Sequence, residues 1–196
     1  MSHHFAHDGH FPHAHSVTGT LSQWALSRDP GDNIRLAAYY CDVVFLRNVL
    51  LEQGADPNYM CPALRRTPLH TLVGRRHLFD DGRGEIWIAC YNLLIRSGAN
   101  VNAQDSRGRT PLDYANNGSF NTCPIVPLLL RAGAELPAGP IYNRYLSKVK
   151  DAGGIERYER AHLASRAATF IPKLAHLLPP ELVRRVVEYW MHAGDY

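Results

Sequence analysis

Histidine is concentrated at the N-terminus, where its imidazoles could bind a transition metal. The first fifteen residues hold six of the eleven histidines of the chain, namely His3, His4, His7, His10, His13 and His15. Spacings of three and four residues would place imidazoles on one helix face, where they could bind Zn²⁺, Ni²⁺ or Cu²⁺. Gly9 and Pro12 interrupt such a helix, and no cysteine lies nearby to add a thiolate ligand. We therefore expect residues 1–20 to be a disordered His-rich tail with weak metal affinity and no defined metal centre.

The sequence contains none of the short motifs that mark catalysis or cofactor binding. There is no glycine-rich phosphate loop, no G-x-S-x-G and no H-E-x-x-H. The four cysteines, at positions 41, 61, 90 and 123, form no C-x-x-C pair and are too sparse for a disulfide framework. We therefore predict that the protein is not an enzyme, binds no cofactor and works in a reducing compartment.

Composition and charge exclude further classes. Hydrophobic residues make up 45% of the 196 residues and charged residues 20%, so a packed core can form. No apolar run approaches the roughly 18 residues that span a bilayer. The formal net charge of +3 is too small to indicate nucleic acid, and the sequence has few lysines and no interleaving of basic and aromatic residues. The N-terminus lacks the features of a secretory signal, so we expect an intracellular, cytoplasmic protein, with an organelle as the alternative.

A repeated pattern organises the middle of the chain. Segments 50–58, 93–102 and 128–136 each begin with consecutive leucines and continue into Gly-Ala, as a helix end followed by a glycine C-cap does. Thr-Pro-Leu precedes two of these segments, at residues 67–69 and 110–112. Threonine caps a helix N-terminus and proline fits its first turn. The glycines of the three segments lie 44 and 35 residues apart, so the middle unit is longer than the last.

These motifs over residues 30–136 resemble the ankyrin repeat, whose period is about 33 residues. The resemblance implies an all-α fold: a short solenoid of about three helix-turn-helix units joined by hairpin fingers. The first unit lacks Thr-Pro-Leu-His but has Ala37 and Ala38 where the family places small packing residues. His70 is expected to hydrogen-bond backbone near a finger. Arg65 stands where the last unit has Gly108, so we expect a distorted middle finger.

The repeat pattern also predicts the element and domain bounds. Pro124 suits the first turn of the last helix, whereas Pro127 is expected to delay that helix or kink it. A short helix over residues 20–27 is expected to cover the first repeat. The predicted helix pairs are 32–40 with 43–53, 68–76 with 85–97, and 111–116 with 123–132. The predicted domains are the tail 1–20, the repeats 21–136 and a C-terminal helical module 137–196.

The middle unit carries an insertion of charged residues over 74–84, between its two helices. One interpretation is a loop that contacts a partner or an anion. The other is a surface insertion without a role, since lengthening a loop costs little free energy.

Arginines recur along the fingers and at the end of the first helix of the middle unit. In ankyrin-type folds the fingers and first helices line the binding surface. Arginine pairs with carboxylates through a planar fork of donors, so an acidic protein surface is the expected partner. A solvated charged rim without a partner is the alternative. The candidate partner-binding residues of this strip are Arg65, Arg66, Arg75, Arg76, Ser106, Arg107 and Arg109.

The C-terminal module has its own candidate surface. Helical patterning covers 141–151 and 154–171, and a third helix is expected to begin at Pro180. Leu182, Val186 and Trp190 fall on one apolar face of this third helix. That face either caps the repeat stack or docks on another protein. The segment resembles the opening helix of F-box-type sequences and the tails of algal and oomycete ankyrin proteins, and the former resemblance implies docking to a cullin–RING ubiquitin ligase.

The sequence therefore predicts a non-enzymatic scaffold or adaptor for protein–protein interactions. Two alternatives stay open. One is a structural subunit of a larger complex. The other is a substrate receptor of a cullin–RING ubiquitin ligase, recruited through the C-terminal helix.

Overall fold

The computed structural model describes residues 29–75, 82–116, 124–174, 177–183 and 185. In these ranges every regular element is helical and no strand occurs, which confirms the predicted all-α class. The helices are α1 Pro30–Tyr40, α2 Val43–Leu51, α3 Pro68–Gly74, α4 Gly84–Arg96, α5 Pro111–Ala115, α6 Ile125–Arg131, α7 Arg144–Asp151 and α8 Ile155–Leu174. The chain divides into two compact units, residues 1–143 and 144–196. No helix within the described ranges is long and apolar enough to cross a bilayer.

The first unit is a row of three helical hairpins, α1–α2, α3–α4 and α5–α6. Helices α1, α3 and α5 pack side by side in one layer, which we call the front layer. Helices α2, α4 and α6 form the back layer, in which α2 packs on α4 and the Tyr91 hydroxyl of α4 donates to the Leu128 carbonyl of α6. This is the arrangement of an ankyrin-like solenoid, in which each hairpin buries its apolar face against its neighbours.

The three front-layer helices begin with the same local chemistry. Thr67 and Thr110 each cap their helix through the side-chain oxygen, and the residue three positions later completes a reciprocal capping box. In α1, Asp29 takes the capping role and its carboxylate accepts from the Gly31 N–H at 2.8 Å. Proline occupies the first helical position in all three. The first repeat therefore keeps the helix start of the other two although it lacks Thr-Pro-Leu-His. Helix α1 begins two residues earlier than predicted.

The Gly-Ala motifs end the back-layer helices. Gly54, Gly98 and Gly133 all have a positive φ, between 63° and 89°, which a residue without a Cβ adopts at little cost. The N–H of the alanine after each glycine then reaches back to a carbonyl near the helix end, as Ala99 does to Leu94 at 3.0 Å. These bonds satisfy carbonyls that would otherwise lack a partner at the helix terminus.

Small side chains and one tryptophan hold the two layers together. Ala37 and Ala38 of α1 have no exposed surface, which agrees with the packing role expected for them. Trp87 of α4 is also fully buried, and its indole N–H donates to the Leu72 carbonyl at the end of α3. The ring of Trp87 stacks on Tyr91 at 5.6 Å between centroids. The middle hairpin is therefore closed by the Trp87 bond to α3, and Tyr91 bonds it to the last hairpin.

Asparagine side chains link successive loops. The Asn58 amide donates to the Gly98 carbonyl at 3.0 Å, and its oxygen accepts from the backbone of the next unit. Asn102 does the same one unit later with the Gly133 carbonyl at 3.1 Å. The Asn116 amide donates to the Pro140 carbonyl, and its oxygen accepts from the N–H groups of Tyr142 and Asn143. The loop 140–143 is therefore held against the end of α5. Sequence reasoning did not assign these links.

The last repeat helix begins regularly despite its prolines. Pro124 is the N-cap residue of α6 and Pro127 is the third helical residue. The first turn of a helix needs no backbone donor, so neither missing N–H costs a hydrogen bond. Helix α6 begins at Ile125, two residues after the predicted start, which agrees with the expected delay and places Pro127 in the first turn. The predicted helix over 20–27 and most of the predicted insertion, residues 76–81, lie outside the described residues.

The second unit contains a helical hairpin. Helix α7 buries Leu146 and Val149 and packs on α8. Tyr158 of α8 meets Tyr145 edge-on at 5.1 Å. Residues 180–183 are helical, as expected for a third helix that begins at Pro180. The domain boundary predicted after residue 136 stays a prediction, whereas the contacts divide the chain after Asn143.

Candidate interaction surface

The last finger, residues 104–109, is built around the carboxylate of Asp105. Its Oδ1 accepts from the backbone N–H groups of Arg107 and Arg109 at 2.8 and 2.9 Å. Its Oδ2 accepts from Arg109 Nη2 at 2.9 Å and from the Tyr114 hydroxyl at 2.7 Å. Burial alone would raise the pKa of Asp105, but these hydrogen bonds outweigh it and hold the pKa below its ordinary value. Arg109 therefore shapes the finger.

The middle and last fingers are hydrogen-bonded to each other. The Ser106 N–H donates to the Leu64 carbonyl at 3.0 Å. Behind this contact, His70 has no exposed surface and its Nε2 lies 3.0 Å from the Arg109 carbonyl. This is the backbone hydrogen bond that the resemblance implied for the histidine. The two fingers therefore present their side chains as one connected surface.

The middle finger differs from the last, as predicted. Pro62 stands at the position of Asp105 and has no N–H to donate across the finger. The preceding residue, Cys61, makes the cross-finger bond instead, from its N–H to the Arg66 carbonyl at 3.1 Å. Arg65 occupies the place of the glycine with a φ of 50°, in the left-handed region that costs a residue with a Cβ. The finger is one residue wider and carries backbone strain.

Two tyrosines of the front layer lie against arginine side chains, two of which come from the middle repeat. The Arg75 guanidinium lies 4.2 Å from the ring centroid of Tyr39. The ring of Tyr114 is approached by two guanidiniums, those of Arg66 at 5.4 Å and Arg109 at 4.6 Å. Cation–π contacts of this kind fix the position of a guanidinium that would otherwise be mobile. We call Tyr39, Arg66, Arg75, Arg107, Arg109 and Tyr114 the arginine–tyrosine surface.

This surface carries excess positive charge. The described residues 61–75 and 104–115, which hold the two fingers with α3 and α5, contain five arginines and two aspartates. Asp105 is bound to Arg109 and Tyr114, and Asp113 caps α5 through Thr110. Both carboxylates are therefore used inside the protein and do not neutralise the other arginines.

The predicted site residues are only partly brought together. Arg66 and Arg109 meet at Tyr114, whereas Arg75 lies at Tyr39 on the far side of α3. Arg65, Ser106 and Arg107 are exposed, and Leu182 of the second unit is 45% exposed. The residues that lie outside the described part of the chain are Arg76, Val186 and Trp190. The tyrosines are additions that the sequence did not single out.

The remaining histidines, cysteines and acidic residues of the described ranges form no metal cluster. No group of three or more His, Cys, Asp or Glu residues there could hold a metal ion. Cys41, Cys61 and Cys90 are free thiols. The buried Cys41 thiol donates to the Ala38 carbonyl at 3.7 Å, and the neighbouring Cys41 thiol together with burial raises the pKa of Cys90. The His-rich tail lies outside the described residues, so its metal affinity stays a prediction.

Comparison with known proteins gives one partial match. No family model matches the chain. Cyclin-dependent kinase inhibitor 2A of Monodelphis domestica, an ankyrin-repeat protein, is 34% identical over 83 residues. That alignment covers 42% of this chain and 37% of the relative's own length. The match supports the ankyrin-like reading of the repeats, while the F-box-type and algal or oomycete resemblance of the C-terminal segment stays a prediction.

Proposed function

We propose that the protein is a non-enzymatic scaffold or adaptor that binds another protein through the arginine–tyrosine surface. The observation that supports this proposal is the set of guanidiniums stacked on Tyr39 and Tyr114. Arginine and tyrosine are the residue types that most often dominate binding energy at protein interfaces. A guanidinium already held on a ring loses little conformational entropy when a partner arrives.

The excess positive charge makes an acidic protein surface the best-matched partner. The planar fork of an arginine forms paired hydrogen bonds with a carboxylate, which a point charge does not. The partially matching relative is by name an inhibitor of a cyclin-dependent kinase, and a role directed at another protein is what we propose for this chain as well.

Two more specific roles remain as alternatives within the same class. A structural subunit would keep its partner permanently bound. A substrate receptor of a cullin–RING ubiquitin ligase would use the C-terminal helix, where Leu182 is 45% exposed. A partner captured through the second unit would favour the substrate receptor over binding through the repeats alone.

Affinity purification with mass spectrometry tests the proposal. The full-length chain is compared with a truncation at residue 140 and with the charge reversals Arg66→Glu and Arg107→Glu. Arg47→Glu on the exposed side of α2, in the back layer, is the matched control. We expect Arg66→Glu and Arg107→Glu to lose partners that Arg47→Glu retains. Equal recovery by all three variants would show that the arginine–tyrosine surface does not bind the partner.

A further inference from the structure

Two arginines of the arginine–tyrosine surface are held on opposite sides of α3. Arg66 precedes α3 and lies over Tyr114 of α5. Arg75 follows α3 and lies over Tyr39 of α1. Because α1 and α5 each pack against α3, the two guanidiniums are directed away from each other across the front layer.

The spacing between them excludes a single carboxylate as a shared ligand. The seven residues of α3 span about 10 Å, and neighbouring helices pack with axes about 8–10 Å apart. The tyrosine-bearing helices α1 and α5 are therefore two such spacings apart. With each arginine reaching from an end of α3 toward one of them, we place the guanidiniums roughly 10–20 Å apart.

Both arginines are suited to an external acidic group. Arg109 has an internal ion pair with Asp105, but Arg66 and Arg75 have none with any residue that the structure describes. Their Nε atoms are covered and lack a hydrogen-bond partner within the same described ranges, although both side chains keep part of their surface exposed. A guanidinium stacked on a ring keeps its in-plane donors for a carboxylate.

We infer that Arg66 and Arg75 bind two different acidic side chains of one extended partner segment that crosses α3. This inference rests on the proposed function and specifies the ligand of the same surface. An extended chain advances about 3.3 Å per residue, and only residues an even number apart face the same side. The estimated separation of the guanidiniums therefore corresponds to acidic residues four or six positions apart.

Short labelled peptides test the spacing. The probes are fluorescein-labelled Gly-Ser peptides with two glutamates one, four or six residues apart, and one with a single glutamate. Anisotropy with the full chain at low salt should show about tenfold tighter binding of the four- or six-residue spacing than of the adjacent pair. The Arg66→Lys and Arg75→Lys variants keep the charge but lose the fork, and each should abolish this preference.

The control variant is Arg47→Lys, which should retain the preference, and thermal melts verify that every variant is folded. Equal affinity for all spacings, or a preference that survives in Arg66→Lys and Arg75→Lys, would overturn the inference. The proposed function is judged separately, by whether Arg66→Glu and Arg107→Glu lose the captured protein partner. A spacing-independent result together with that loss would leave the function standing and reject only the two-point binding mode.

Discussion

The buried His70 offers the sharpest test of how the fingers are fixed. Its Nδ1 lies 3.2 Å from the Thr67 backbone N–H, which can only donate, so Nδ1 is the acceptor. Its Nε2 lies 3.0 Å from the Arg109 carbonyl, which can only accept, so Nε2 carries the proton. The imidazole is therefore neutral and joins the cap of α3 to the last finger.

We expect the His70→Leu variant to be less stable by about 1–3 kcal/mol, because the buried Thr67 N–H loses its acceptor, whereas the Arg109 carbonyl keeps its bond from the Asp105 N–H. Such a loss is a large part of the roughly 5–15 kcal/mol that stabilises a typical domain. Urea unfolding followed by circular dichroism at pH 7.5 measures it. The exposed His162 provides a control, since His162→Leu removes an imidazole without such bonds to buried backbone.

The pH dependence of stability adds a second readout at the same residue. Burial lowers the pKa of His70 below its ordinary value of 6.5. A proton on Nδ1 would also face the Thr67 N–H, donor against donor. The unfolded chain takes up this proton below about pH 6.5 and the folded chain does not, so the contribution is present above that pH and is lost as the pH falls.

The expected slope is at most about 1.4 kcal/mol per pH unit for one proton. The free energy of unfolding should therefore fall between pH 7 and pH 5 more steeply in the wild type than in His70→Leu. The other histidines are common to both proteins and cancel in the difference. Identical pH profiles for the wild type and His70→Leu would refute the assignment of a neutral, buried imidazole.

Three further changes test separate contacts. Tyr91→Phe removes the 2.8 Å bond to the Leu128 carbonyl between α4 and α6 and should cost about 1 kcal/mol in urea unfolding, so an unchanged midpoint would contradict that link. Arg65→Gly relieves a left-handed backbone at a φ of 50° and should raise the thermal midpoint, since the roughly 1–2 kcal/mol cost exceeds the entropy that glycine adds; a lower midpoint would contradict the strain. Asn102→Ala removes the bridge to the following loop and should cost about 1–2 kcal/mol, with faster amide exchange at Glu135 as the local sign.

Local chemistry explains how much of the fold could be read from the sequence. The helices of the repeats begin and end within two or three residues of the predicted positions, because threonine caps, first-turn prolines and Gly-Ala ends act within a few residues of themselves. Helix α1 begins two residues before the predicted start because Asp29 caps it in place of threonine. Helix α6 starts at Ile125 because a start at residue 123 would place Pro127 beyond the first turn, where its missing N–H would cost a hydrogen bond.

The site was harder to predict because its contacts join residues one repeat apart. Arg75 and Tyr39 are 36 positions apart, and Arg66 and Tyr114 are 48 apart, so no local window contains either pair. Stacking of the hairpins turns equivalent positions of successive units into neighbours, and an arginine near a tyrosine in that register is the signal that could have revealed both contacts. The same register separates the arginines of the predicted strip into those that bond within their own finger and those that reach another repeat. Arg109 lies four residues from Asp105 and shapes its own finger, whereas Arg66 and Arg75 reach across repeats and are the two arginines that we propose bind the carboxylates of a partner.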